Sequence, residues 1–587
     1  MKRKRNSLKS SQQVVSPTET IVDLHLPDEC WESIFKILIN DNHCYLEPLS
    51  LVSKQFLSIC NRLQFSLTIS DATLPFLPHL FDRFPNLTSL NFEHFSGDLD
   101  ALLCQISTCP LKFKSLKLSN QSTIPANGLR VLSKFITTVT SLTFSNIDFL
   151  HQNDLVMISN CFPFLEELDL GNPKSVLNVA ENIMFLKLPK LRKVILSGHH
   201  YAYGSLLFHL CKNCEFLQEI VMSNNYCITD NDIASAIRKR PGLRSISFTR
   251  MTFRNLFVES LVSLMGLACL DLSYTCISDK LLLSIAEKGH PIKRLVLQGC
   301  FGYSYVGIYN LLSNCQFIQH LDLQNANFMS DKHVVELSLF LGDLVSINIS
   351  NCASLNNVAL FALLRSCAKL TDVKMEYTSI GKMSVENSYT FMYFGVYPQL
   401  KSLHLAHNIW LKDEDINMLA FVCPNLQLLD LSCCNHLSKE GIGQVLRKSS
   451  KIRHLNIAYC SRLKQLRMNF KVSTLVVLNL SKTGIYDRSL YMISTSCFAL
   501  LHLDLGYCYN VTEKGVMKVV ENCKQLREIN LQGCRKVVAD VVDSMVFIRP
   551  SLRKTTAPPC FCCTDSKRKL FLRHGCLLAC WKCSAQV

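Results

Sequence analysis

Leu165-Glu166-Glu167-Leu168-Asp169-Leu170 and Leu526-Arg527-Glu528-Ile529-Asn530-Leu531 are two copies of one pattern, apolar-x-x-apolar-x-apolar. Its Leu-x-Leu alternation reads as a short strand with one buried face. The central apolar residue of the pattern is an anchor. It recurs at Leu90, Leu116, Leu142, Leu168, Val194, Ile220 and Ile246, 26 residues apart each time. It then returns at Leu270, Leu295, Leu321, Ile347, Val373, Leu403, Leu429, Leu455, Leu478, Leu503 and Ile529, in steps of 23 to 30 residues, for 18 copies in all. Between anchors, stretches such as 487–496 place Leu490, Ile493 and Ser494 on one side at helical spacing. Each unit therefore predicts a strand, a turn, a helix and a return. One unit of this size cannot enclose its own apolar face, so it must stack on a neighbour at each side.

Cysteine falls in two fixed slots of the unit. Five residues after the anchor stand Cys300, Cys352, Cys434, Cys460, Cys508 and Cys534; six before it stand Cys214, Cys315, Cys367, Cys423, Cys497 and Cys523. Those are 12 of the 29 cysteines. A free cysteine is small and apolar and suits the inside of a tight corner. The first 20 residues are polar and open Met1-Lys2-Arg3-Lys4-Arg5, with no secretory leader, so a reduced, intracellular chain is expected, in the nucleus, the cytoplasm or both. The basic cluster fits a solvated, disordered terminus, with a nuclear import signal as the alternative.

The period and consensus resemble leucine-rich repeats, and the cysteine slots resemble the cysteine-containing subfamily of them. That resemblance implies an α/β fold: a curved solenoid of about 18 repeats with a parallel concave sheet, over residues 64–552. Residues 1–21 read as a disordered basic tail and 553–587 as a loose, Cys-rich tail. In that tail Cys580-Trp581-Lys582-Cys583 has zinc-type spacing, with Cys560, Cys562, Cys563, His574 and Cys576 nearby. About 25 residues is little to gather four ligands, and no metal or other cofactor is expected.

Ahead of the repeats, Pro27 sets the start of a helix whose first turn carries Asp28 and Glu29. Trp31, Ile34, Phe35 and Leu38 follow as one apolar stripe, and Leu49, Val52 and Phe56 form a second. Residues 22–63 resemble an F-box, by the Leu26-Pro27 opening, the Ile/Leu helix and the block from Leu49 to Lys54. Pro48 stands where a helix-compatible residue is usual, which is harmless only if it falls in a first helical turn. The resemblance, taken over residues 22 to about 552, is to plant F-box/leucine-rich-repeat proteins. It implies a Skp-type adaptor, bound through Leu26, Pro27, Ile34, Leu38, Leu49, Val52 and Lys54, with cullin and RING subunits beyond it. The chain would then be the substrate receptor of an SCF-type ubiquitin ligase, marking a protein substrate for proteasomal degradation. The alternatives are a helical cap on a plain repeat scaffold, or a hormone-receptor-like F-box protein.

The residues flanking each anchor point to the exposed side of the strands. Ten of 18 copies carry Asp or Asn just after the anchor, which marks a structural consensus. The less usual side chains, Arg294, His320, Lys374, His404, His454 and His502, are the candidate substrate readers. The 30-residue step from Val373 to Leu403 holds Tyr377, Tyr389, Phe391, Tyr393, Phe394 and Tyr397, and Tyr389 and Phe391 join the candidates. A phosphorylated ligand in the hollow would need converging cations; Lys117, Lys193, Arg294 and Lys374 are spread along it. Lys plus Arg exceed Asp plus Glu by 62 − 46 = 16, but the charges are dispersed, which argues against nucleic acid. No apolar run reaches about 18 residues, so no membrane span is expected. No catalytic motif emerges, and a non-catalytic protein is the expectation.

Overall fold

The computed structural model describes residues 26–579 apart from 42–45, 72, 93–94, 178–185, 199–203, 226, 252, 254, 383–394, 560 and 562–563. The chain divides into two compact units. The first runs to Ser119 and includes Pro125–Ser141; the second is Asn120–Ile124 with everything from Leu142. The division thus falls among the repeats and not at residue 63.

The first unit opens with α1 (Asp28–Asp41), α2 (Leu46–Ser50) and α3 (Lys54–Leu63). Pro27 sits just before α1, and its carbonyl accepts from the Cys30 and Trp31 amides. Pro48 is the third residue of α2, in a first turn where its missing N–H leaves no intrahelical bond unmade. Ser53 caps α3 by accepting from the Phe56 amide at 3.1 Å. Phe35, Ile39, Leu46, Ile59, Cys60 and Leu63 make the core of these helices, with Trp31, Leu49 and Phe56 packed against it. Phe56 meets Trp31 at 4.7 Å and Phe35 edge-on at 5.0 Å. Arg62 of α3 ties down the acidic start of α1, donating to Asp28 at 2.9 Å and Glu32 at 2.6 Å. On its other side α3 joins the first coil: Asn86 donates to the Arg62 carbonyl and Arg83 to the Asn61 side chain. Three parallel strands follow, β1 (Ser66–Thr68), β2 (Ser89–Asn91) and β3 (Ser115–Lys117), with Leu67, Leu90 and Leu116 aligned. Leu67 is an anchor that the repeat count misses, because Gln64 fills the apolar place three residues before it.

In the second unit the anchors align one on the next. Leu168, Val194, Ile220, Ile246 and Leu270 are register partners in turn, and so on without a slip to Leu503 and Ile529. All 18 anchors are at most 3% exposed, each contributing about 2 kcal/mol of apolar burial. The strands do not stop at residue 552. Lys554–Thr556 pairs with the strand at Ile529, and Leu577–Ala579 pairs with it in turn, flanking a helix at Asp565–Arg573. The described part of the expected tail is therefore coil, carried by Thr555 and Leu578 in the anchor place. A polar Thr555 and a Gly575 before Leu578 hide both from an apolar count.

The two cysteine slots have different physical reasons. At plus five, each thiol donates to the carbonyl two residues past the preceding anchor. Cys300 reaches Leu272 O at 2.8 Å, Cys508 reaches Leu480 O at 3.0 Å and Cys534 reaches Leu505 O at 3.0 Å. Asn225 and Asn408 hold the same place in their coils and donate amides to Leu196 O and Met375 O. The slot needs a small buried donor, and the thiol supplies one. At minus six the six cysteines are at most 2% exposed and fill space behind the strand. Burial pushes these thiols up to about 11 or about 12, so they stay neutral.

A second periodic device stitches the helices. Asp279 Oδ1 accepts from the Ser304 amide at 2.7 Å, Asp413 Oδ1 from Ser438 at 2.9 Å and Asp487 Oδ1 from Thr512 at 2.8 Å. Each acceptor opens one helix, and each donor caps the helix of the next coil. Gly307, Gly441 and Gly515 make the fit possible, since a Cβ there would strike the same aspartates.

Candidate interaction surfaces

The sequence reading makes Trp31, Ile34, Phe35 and Leu38 one stripe; the structure splits it. Trp31, Phe35 and Ile39 face the core, whereas Ile34, Ile37 and Leu38 face outward. The second stripe divides too, with Leu49 and Phe56 against the core and Val52 exposed. Ile37 is 68% exposed, Leu51 69% and Val52 65%; Leu26, Ile34 and Leu38 are exposed less strongly. Pro27 and Lys54 are also exposed, and of the seven candidate adaptor residues only Leu49 is half-buried. Ile37 and Leu51 are exposed in the same segment, and sequence spacing missed both. Several large apolar side chains of one short segment are thus left in contact with water.

On the strand face of the second unit, two rows flank the anchors. The Asp and Asn residues of the row just after them are structural. Asp322, Asp430 and Asp504 each accept from the backbone amide two residues on, and from the side-chain amide of Asn348, Asn456 and Asn530 in the next coil. The six less usual residues fall in three places along the sheet. Arg294 and His320 are direct register partners, as are Lys374 and His404. His454 and His502 lie two strands apart with Val477 between them. Burial, then the charges of Arg453 and His502, hold the His454 imidazole below its ordinary value. His502 Nδ1 stands 3.5 Å from Glu528 Oε2. An open groove of about 440 Å³ runs here, lined by His502, Asp504, Glu528, Asn530, Lys554 and Thr556. Lys554 and Thr556 were not among the sequence candidates, because their strand lies past residue 552. Lys193 is bound to Glu219 at 2.8 Å, and Arg294 and Lys374 sit three strands apart, so these cations do not converge.

Tyr389 and Phe391 lie outside the described residues, as do Tyr393, Phe394 and the basic cluster at 2–5. Of their described companions, Tyr377 is half-exposed and stacked on His407 at 3.9 Å, and Tyr397 is buried. Cys560, Cys562, Cys563, Cys580 and Cys583 are likewise outside. Among the described residues no group of three His, Cys, Asp or Glu side chains is placed to hold a metal ion. Among them too, no helix is long and apolar enough to cross a membrane.

Parallel strands in unbroken register, each backed by a helix in most coils and each repeating one set of side-chain slots, define an α/β leucine-rich-repeat solenoid. No protein-family model matches the chain. Among curated proteins it is similar to F-box/LRR-repeat protein 4 of Bos taurus, 28% identical over 190 residues, which is 31% of this chain and 30% of that protein. It is also similar to a Transport inhibitor response 1-like protein of Oryza sativa subsp. japonica, 23% identical over 306 residues, 45% of this chain and 52% of that protein. The matches thus span about a third and about half of those relatives' lengths. Of solved structures, the yeast Rad7 and Elc1 complex aligns over 79% of this chain and 95% of that one, at 17% identity and a TM-score of 0.43. Over part of its length the chain is thus similar in sequence to F-box/leucine-rich-repeat proteins.

Proposed function

We propose that the chain is the substrate-recognition subunit of an SCF-type ubiquitin ligase. The observation that carries this reading is the outward face of the helical segment: Leu26, Ile34, Ile37, Leu38, Leu51 and Val52 are exposed although the helices beneath them have a complete core. A segment that only capped the repeats would have no use for them. In this reading a Skp-type adaptor covers that face and links the chain to cullin and RING subunits, while the strands and their adjoining loops hold a protein substrate. Ubiquitin transfer then speeds up because substrate and transfer machinery share one assembly, an effective concentration that reaches the millimolar range for short flexible tethers.

Co-expression with a Skp-type adaptor, followed by size-exclusion chromatography, tests it. The wild-type chain is expected to elute as a stoichiometric complex. Leu26→Asp with Pro27→Ala, and separately Val52→Asp, should abolish the complex without altering the circular-dichroism spectrum. Failure of the wild-type chain to bind any Skp-type adaptor would leave a repeat scaffold without ligase linkage.

A further inference from the structure

From Leu116 to Ile529, every coil turns its corner through a left-handed residue four places after the anchor. Most often it is asparagine or glycine, the residues that conformation suits: Asn120, Asn146, Asn172, Gly198, Asn224, Gly299, Asn325, Asn351 and Gly533. Eight coils carry another residue there: Arg250, Tyr274 and then an unbroken run of Tyr377, His407, Cys433, Tyr459, Lys482 and Tyr507, whose last three differ from the rest in joining a lysine between two tyrosines. Tyr459, Lys482 and Tyr507 stand there with φ of 59°, 55° and 60°. A bulky side chain in this conformation is strained, and strain that persists at a free surface points to use.

The three side chains form one structure. Lys482 Nζ lies 4.5 Å from the Tyr459 ring centroid and 5.2 Å from that of Tyr507. The Tyr507 ring is accommodated by Gly533 of the next coil, where any Cβ would strike it. Tyr509 follows, 49% exposed, with Arg535 5.5 Å from its ring centroid. Arg462, Lys464 and Lys536 are exposed on the same series of corners. Among the described residues, none of Arg462, Lys464, Lys482, Arg535 and Lys536 forms an ion pair with an acid. At the end of the row nearer the anchor Leu429 lies a pocket of about 500 Å³, walled by His436, Lys439, Arg462 and Lys464, with Glu440 paired to Lys439 at 3.6 Å.

We propose that this corner row, from His436 to Lys536, binds an extended acidic peptide segment of a partner protein. Unpaired cations need anions, and the tyrosine edges and hydroxyls between them offer apolar contact and hydrogen bonds. Coils spaced roughly 5 Å apart make the three steps from Leu455 to Ile529 about 14 Å, the reach of four to five extended residues. The ring faces decide against nucleic acid. Lys482 lies 5.2 Å from the Tyr507 ring centroid and Gly533 of the next coil packs close to the same ring, which leaves less of it for a base to stack on. Five cations are also fewer than the six to ten phosphate contacts that strong backbone binding uses. The row becomes the substrate contact if the ligase reading holds, but peptide binding by the isolated chain needs no adaptor, so the two readings fail separately.

The test is fluorescence anisotropy of the full chain with a fluorescein-labelled octapeptide of alternating Glu and Tyr. The same peptide with Gln for Glu, and a labelled ten-nucleotide oligothymidylate, serve as comparisons. The acidic peptide is expected to bind at least tenfold tighter than either, and to weaken steeply with salt. Lys482→Asn and Tyr507→Asn should each lower its affinity about tenfold while raising the thermal midpoint, because asparagine relieves the left-handed strain. A merely structural role for Lys482 or Tyr507 would lower the midpoint. Equal binding of the Glu and Gln peptides would overturn the proposal, and so would tighter binding of the oligonucleotide or affinity unmoved by these variants.

Discussion

The helices at residues 28–63 and the coils from Leu403 to Ile529 use similar side chains in opposite ways. In the coils one slot means one role: every anchor is inside, every plus-five cysteine donates to the same kind of carbonyl, every Asp at a helix start takes the next coil's cap. In the helices, neighbours on what reads as one stripe part company, Phe35 to the core and Ile34 to the surface. A coil residue answers to a copy on either side, which fixes its direction. A helix residue in the opening segment answers to a small core on one side only, and its other side is left for something else.

Truncations should expose this contrast most strongly. Leu455→Ala is expected to destabilise the chain by about 3 kcal/mol or more, through lost burial and the cavity left behind. Val52→Ala in the helical segment should change stability by less than about 0.5 kcal/mol. Denaturant titration of both variants reads the difference, and similar losses would erase the distinction. Within the coils, Cys508→Ala should cost about 0.5 kcal/mol more than Cys315→Ala. Both remove a buried thiol of equal size, but the first also takes one donor from the Leu480 carbonyl, which keeps the Thr483 amide and hydroxyl. Equal costs would mean the plus-five slot is space-filling only.

A smaller effect is a slope with pH. His290 is 2% exposed, and burial holds its imidazole below the ordinary value of 6.5. The unfolded chain therefore binds the proton more readily, so stability should fall as pH drops below about 6.5 towards the native value. Thermal midpoints of His290→Phe between pH 7 and pH 5 should decline less than those of wild type. Smallest of all, Arg62→Met should weaken the helical segment by about 0.5 to 1 kcal/mol, since its bonds to Asp28 and Glu32 are partly open to water. A native-state hydrogen-exchange map should show that loss in α1 while leaving the coils from Leu403 onward untouched.

The stacked architecture was legible because it rests on counting. A period of about 26 residues names the anchor, the anchor names the register, and 17 of the 18 anchors are register partners of a neighbouring anchor as that register requires. Leu67, Thr555 and Leu578 escaped because a polar residue or glycine stands in an apolar place, while the hydrogen-bond ladder of their neighbours carries the strand regardless. The outward helix face was only half legible. Spacing of three and four locates an apolar stripe but cannot say which of its edges is wet, and Ile37 and Leu51 fell outside the motif altogether. The Tyr459–Lys482–Tyr507 row was invisible for a different reason. A positive φ is a property of backbone at a corner, and nothing in the three side chains, taken alone, announces it.

The buried thiols have a practical consequence. Twelve of them sit at known places in successive coils, neutral and shielded, so a thiol reagent can reach each one only when its own coil loosens. Their modification rates, read by peptide mass after timed exposure, would turn the solenoid into a ruler marked in local opening free energies. Such a ruler would show where along the stack the chain breathes first, and whether a bound partner quiets one end or the whole length.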